Sequence, residues 1–220
     1  VTAGYNLGVL YAEGRGGLKK SASAAHQHVR DAADKGLAEA QHGLSMWYRD
    51  GVVVKKNLSK SAQWGRKAAE QGHTLAMHNL GLLLLEGQWG ERKDEEAGFK
   101  YLQQAADASV VESIVEVGKC LINGRGVKAD AKAGFEMMCR AAQMGNAEAM
   151  FNAAVCCHAG IGASQNFGEA FEWLKKASQG GNATAMWHLG DAYEAGRGCE
   201  AQPIEAKKWK DSAKNKGFVQ

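Results

Sequence analysis

Glycine-arginine-glycine follows an apolar run at three places. It stands at Gly14–Gly16 after "NLGVLYAE", at Gly124–Gly126 after "EVGKCLIN" and at Gly196–Gly198 after "HLGDAYEA", with "NLGLLLLEGQWG" from Asn79 a close relative. Such a turn has the backbone freedom to cradle a phosphate on its N–H groups. A second group, Cys156-Cys157-His158, carries the thiol and imidazole donors of a transition-metal site. Successive helical residues point about 100° apart, so three neighbours cannot converge on one ion, and no spaced cysteine or histidine pair completes four ligands. The seven histidines are scattered, and spacing alone assembles no Ser-His-Asp or Cys-His grouping. The sequence therefore predicts no cofactor, no metal and no catalytic residue.

What the glycine turn does depends on the elements around it. The glycine that closes each apolar run recurs at Gly14, Gly51, Gly87, Gly124, Gly160 and Gly196. Alanine recurs at Ala32, Ala68, Ala105, Ala141, Ala177 and Ala213, and a third marker at Gly36, Gly72, Ser109, Gly145, Gly181 and Gly217. Three markers at a spacing of 36 to 37 residues define six copies, approximately 1–36, 37–72, 73–109, 110–145, 146–181 and 182–217. Each copy reads as two antiparallel helices. In the second copy Ala40, Leu44, Trp47 and Tyr48 form one helical stripe, and Ser61, Trp64 and Ala68 form the next. The triplets thus end a helix, whereas a phosphate loop follows a strand and opens one. They are read as turns. Val53 and Trp89 replace the second turn glycine in copies two and three, so those turns are predicted to differ in path.

Small residues at Gly8, Ser45, Gly81, Gly118, Ala154 and Gly190, and at Ala25, Ser61, Gly98, Gly134, Ala170 and Ala206, predict a close approach of the paired backbones. A glycine inside a helix costs about 0.5–1 kcal/mol relative to alanine, so its recurrence needs such a reason. Trp64, Tyr101, Trp173 and Trp209 are expected to fill the space beside them. The run "ERKDEE", Glu91–Glu96, reads as a solvated turn and helix start, and "KKWKDSAKNKG" as a solvated last helix.

Hydrophobic residues make up 45% of the 220, and one proline in the whole chain favours helix. A net charge of +3, evenly spread, points away from a nucleic-acid or membrane-surface partner. No apolar run reaches the roughly 18 residues of a membrane span. Five cysteines, an odd number, predict a reducing, cytoplasmic setting. Val1 falls inside a motif, and Phe218, Val219 and Gln220 fall where a seventh copy would begin, so the chain is expected to be a segment of a longer protein.

The stretches "AEAQHGLSMWYRDG", "KSAQWGRKAAEQGH" and "EAFEWLKKASQGGNATAMWHLGDAYEAGRG" resemble the Sel-one-like repeat family, relatives of the tetratricopeptide repeat, over nearly the whole chain. The resemblance implies an all-α fold, a right-handed α/α superhelix (solenoid) of helix-turn-helix repeats, acting as an adaptor in protein complexes. A cysteine-rich branch of that family bridges its helices with disulfides. At those places this chain has Ala69 and Met77, Ala106 and Ile114, and Ala142 and Met150, so the bridged version is not expected.

By that resemblance the first helix of each pair lines the concave side. Its fifth place reads Tyr5, His42, His78, Val115, Phe151 and Trp187, and its ninth Val9, Met46, Leu82, Lys119, Val155 and Asp191. These are more apolar and aromatic than a solvated face needs. The sixth place offers Asn6, Asn79 and Asn152, whose amides can hold a peptide backbone or tie neighbouring helices together. The predicted partner-binding residues are Tyr5, His42, Met46, His78, Asn79, Phe151, Asn152 and Trp187. The expected function is a non-enzymatic scaffold for a protein or peptide. The alternatives are a small-ligand-binding or weakly hydrolytic (β-lactam-type) protein, and an architectural spacer.

Overall fold

A computed structural model describes residues 1–218. Val219 and Gln220, two of the three residues at which a seventh copy would begin, lie outside the described residues. The chain divides into two compact units, Val1–Val110 and Val111–Gln220. The first holds α1 (Thr2–Glu13), α2 (Ala22–Asp34), α3 (Ala38–Asp50), α4 (Leu58–Glu70), α5 (Thr74–Glu86) and α6 (Glu95–Asp107). The second holds α7 (Val111–Asn123), α8 (Ala131–Gln143), α9 (Ala147–Ala159), α10 (Phe167–Gln179), α11 (Ala183–Ala195) and α12 (Pro203–Asn215). No strand occurs among the described residues. In each unit the helices form three hairpins, and the second helix of one hairpin lies against the first helix of the next. No helix is long and apolar enough to cross a membrane among the described residues.

Local chemistry sets the ends of these helices. The side chains of Ser21, Asn57, Asp94, Asp130 and Asn166 cap the second helices by accepting a backbone N–H three residues on. Gln202 makes no such bond, and Pro203 in the first turn of α12 supplies the preset φ instead. The first helices stop on a left-handed glycine, such as Gly160 at φ 71°. Two residues later comes the second glycine of the triplet, and its role is contact between repeats. A Cβ on Gly162 would lie 2.1 Å from the carbonyl oxygen of Ala131, the first residue of α8 in the preceding repeat. The turn is architecture.

Copies one and three carry one residue more in this turn, Gly17 and Gly90, which accounts for the 37-residue spacing from Gly14 to Gly51 and from Gly87 to Gly124. Trp89 keeps the left-handed conformation of the glycine it replaces, at φ 58°, with Gly90 following at φ 93°. Val53 is absent from the left-handed region, so of the two replaced glycines only its turn changes backbone class.

Within the hairpins the small residues do bring backbones together. A Cβ on Gly81 would meet the Gly98 carbonyl oxygen at 3.0 Å, and one on Gly98 would meet that of Gly81 at 2.9 Å. Gly118 and Gly134 repeat the arrangement at 3.1 and 2.8 Å. Fully buried Leu44, Leu80, Leu102, Ile114, Met138 and Leu189 fill the space beyond. Trp64, Tyr101, Trp173 and Trp209 are only half-buried. The alanines already occupy the interior, so these rings cover its edge, and the ammonium groups of Lys67 and Lys176 sit 4.3 and 4.5 Å from the Trp64 and Trp173 rings.

The alanine marker has no room to grow. Ala68 and Ala141 are both fully buried, so Ala68→Leu or Ala141→Leu is expected to destabilise by about 1–3 kcal/mol. A change at exposed Lys175 should leave the melting temperature nearly untouched. Equal melting temperatures for the two classes would refute the proposed register.

The run Glu91–Glu96 is less solvated than its composition suggests. Glu91 forms a two-pronged ion pair with Arg66 of the preceding repeat, and its side chain is only 13% exposed. Asp94 is spent as the cap of α6. Arg92, Lys93 and Glu96 face solvent as expected, while Glu95 is half-buried and paired with Lys93.

Candidate functional site

The fifth, sixth and ninth places of the first helices carry the candidate residues. In the first unit the Tyr5 ring lies over Gly43, where a Cβ would be 3.4 Å from its Cε2. Burial, and secondarily the Glu39 carboxylate, push the Tyr5 hydroxyl up from its ordinary pKa. His42 stacks on His73 with ring centres 4.4 Å apart. His73 in turn caps α5, its Nδ1 accepting the Ala76 N–H at 3.3 Å. The His42 Nε2 is buried and has no hydrogen-bond partner. Met46 and Asn79 meet across a cavity of about 300 Å³ between α3, α4 and α5, walled by Leu82, Leu83 and Trp89. His78 is half-buried on α5, outside the residues lining that cavity.

In the second unit Phe151 stacks on His188 at 5.6 Å. Both line a cavity of about 430 Å³ between α9, α10 and α11. The amide nitrogen of Asn152 is buried without a partner, so through that atom it ties no helices together. Trp187 is half-buried: Phe218 stacks on it at 5.1 Å, and the Lys210 and Lys214 ammonium groups lie 5.2 and 5.8 Å from its ring. Of the candidate residues, the structure brings Met46 and Asn79 together in one notch and places Phe151, with His188, in the other, whereas His42, His78 and Asn152 line neither. Tyr5 and Trp187 each serve a separate contact.

The two cavities are the same notch three repeats apart. Met46 and Val155, Asn79 and His188, and Gln88 and Arg197 hold equivalent places in the repeat. The walls differ. The first has Leu82 and Leu83, whereas the second has Phe167 and Phe171 from α10. A reading confined to first helices misses these two phenylalanines. Their signal in the sequence is Phe171 standing where copy two has Ala62.

The cysteines suit the interior. None of the five forms a disulfide, and Cys120, Cys156 and Cys157 are buried. Burial, with Glu169 beside it, pushes the Cys157 thiol up to about 12, the opposite of the lowered pKa that a nucleophile or metal ligand needs. No cluster of three or more metal-ligating side chains with metal-site geometry occurs among the described residues.

Burial, then the neighbouring His73 and Arg49, hold the His42 imidazole down at about 4. Its unfolded value is about 6.5. As pH falls from about 6.5 towards 4 the unfolded chain takes up this proton first, so stability is full above that window and drops within it. Allowing for solvent screening of a half-buried ring, the loss is about 1–2 kcal/mol. Urea unfolding at pH 7.5 and 4.5 should show a smaller drop for His42→Gln than for the native chain. An identical drop in both would assign the acid sensitivity elsewhere.

Comparison with known proteins fits this architecture. The Sel1 repeat model matches residues 2–37, 38–73, 74–110, 111–146, 147–182 and 183–218, one residue later than the marker-based copies. A Sel1 repeat protein from Oxalobacter formigenes is 31% identical, with a TM-score of 0.86 over 100% of this chain and 87% of that one. A protective antigen of uropathogenic Escherichia coli displaying an SLR fold is 25% identical, with a TM-score of 0.90 over 99% of this chain. The chain spans about half the length of that antigen, 46%. An immunity protein from Pseudomonas aeruginosa shares the fold at 16% identity and a TM-score of 0.56, over 98% of this chain and 80% of that one. No curated protein sequence matches. With six tandem matches running from residue 2 to 218 and twelve helices among the described residues paired accordingly, the chain belongs to the Sel1 repeat family.

Proposed function

We propose that the chain is a non-enzymatic scaffold that binds a protein or peptide along the exposed parts of its first helices. Sel1-repeat proteins are generally protein-interaction scaffolds and generally non-catalytic. One observation carries the reading for this chain: apolar and aromatic first-helix side chains stay half-exposed beside open notches in both units. Val155 of α9 remains 43% exposed, and Phe167 of the adjoining second helix, α10, 40%, a cost that a mere spacer has no reason to bear.

The test begins by crosslinking partners to the full-length protein in its native cell and measuring the affinity of the captured partner. Phe151→Ala and Trp187→Ala should each weaken binding by about fivefold or more, roughly 1 kcal/mol, with helical content unchanged by circular dichroism. Full affinity after both replacements would move the site off the first-helix row.

A further inference from the structure

The notch between α9, α10 and α11 has features that its counterpart between α3, α4 and α5 lacks. Its floor is apolar and closed: Ala154, Ala170, Phe171 and Ala192 are all buried. Its mouth is apolar and open, framed by Val155 and Phe167. Two aromatic contacts hold the walls, Phe151 on His188 and His158 against Phe167 at 5.0 Å and 67°. The volume, about 430 Å³, lies at the small end of ligand pockets, the size for a large side chain and its backbone and not for a cofactor.

The charges around the notch are unequal. Asp191 is neutralised by Lys210 at 2.7 Å, and Lys210 also takes Glu194 at 2.7 Å. Arg197, on the turn after α11, lines the cavity and is exposed, with no carboxylate in ion-pair reach among the described residues. The corresponding place in the other notch is Gln88, and the arginines there are matched, Arg49 by Asp50 and Arg66 by Glu91 and Glu70. The α9–α11 notch thus combines a hydrophobic socket with one uncompensated cation at its rim.

Building on the scaffold reading, we infer that this notch takes a short peptide segment of a partner protein that inserts one bulky aromatic or branched aliphatic side chain and sets an Asp or Glu side chain against Arg197. The socket supplies most of the affinity by desolvating the anchor. The exposed arginine adds selectivity, since an ion pair in water contributes little but disfavours a basic neighbour. Val155, Phe167 and Arg197 come from three successive elements of the chain, so the segment reads two repeats at once.

The test is selection of random twelve-residue peptides displayed on phage against the immobilised chain, followed by fluorescence polarisation with the enriched peptides. The expected result is enrichment of an aromatic or branched aliphatic residue within two positions of an Asp or Glu. Replacing that anchor with alanine should weaken binding more than about tenfold, and replacing the acid with its amide about threefold. Arg197→Gln should remove the preference for acid over amide while the anchor is still required. Val155→Glu, at a surface position that leaves folding intact, should abolish binding. Peptides that bind Val155→Glu and Arg197→Gln as well as the native chain would overturn the notch while leaving the scaffold reading standing. Absence of any enrichment would also count against it. The scaffold reading itself fails separately, when the partner captured in cells keeps full affinity for the Phe151→Ala and Trp187→Ala variants.

Discussion

Gly162→Ala is expected to destabilise the second unit by about 3 kcal/mol or more, although it adds a single methyl group. Two costs combine. Gly162 sits at φ 72°, where an L side chain costs about 1–2 kcal/mol. The new Cβ would also stand 2.1 Å from the Ala131 carbonyl oxygen, 2.7 Å from its carbon and 2.9 Å from the Phe135 Cβ. None of the backbone atoms among these is a flexible tip that can swing aside, so α8 and the α9–α10 turn would be forced apart, at about 1–3 kcal/mol for overpacking. Gly145→Ala separates the two costs. Gly145 has φ 89° and nothing within 4 Å of an added Cβ, so it should lose only the backbone share, about 1–2 kcal/mol. Urea unfolding of both variants decides the matter. Equal losses would mean that the turn does not hold one repeat against the next.

Most of the fold is legible because each repeat must solve the same steric problem. Gly81 facing Gly98 and Gly118 facing Gly134 are written as small residues at fixed places, since any Cβ there meets a carbonyl oxygen. The helix ends are equally local: Ser21, Asn57, Asp94, Asp130 and Asn166 announce their helices by type alone. What the sequence hides is whatever joins one copy to the next through a particular side chain. The Arg66–Glu91 pair spans 25 residues and removes a carboxylate from a run that composition marks as solvated. The stacks of His42 on His73 and of Phe151 on His188 turn fifth-place residues into contacts between repeats. The α9–α11 notch depends on Phe167 and Phe171 of a second helix, so no reading of first helices alone could find it.

The close approach of hairpin backbones can be tested for coupling as well as for cost. Gly81→Ala gains about 0.5–1 kcal/mol of intrinsic helix preference, but its Cβ would lie 2.7 Å from Leu102 Cγ and 3.1 Å from Leu102 Cδ2. The net effect is expected to be a loss of about 1–3 kcal/mol from overpacking. Leu102 is fully buried, and Leu102→Ala alone should cost about 2–5 kcal/mol through lost contacts and the cavity left behind. In the double variant the new methyl group of residue 81 enters the space vacated by the leucine, so both defects shrink. The double loss should fall short of the sum of the single losses by about 1–2 kcal/mol. The Gly98 carbonyl oxygen, 3.0 Å from the same Cβ, is untouched by this rescue and sets a limit on it. Strict additivity in denaturant unfolding would show that α5 and α6 approach by another surface. Full rescue would show that side-chain bulk alone, and not backbone contact, keeps residue 81 small.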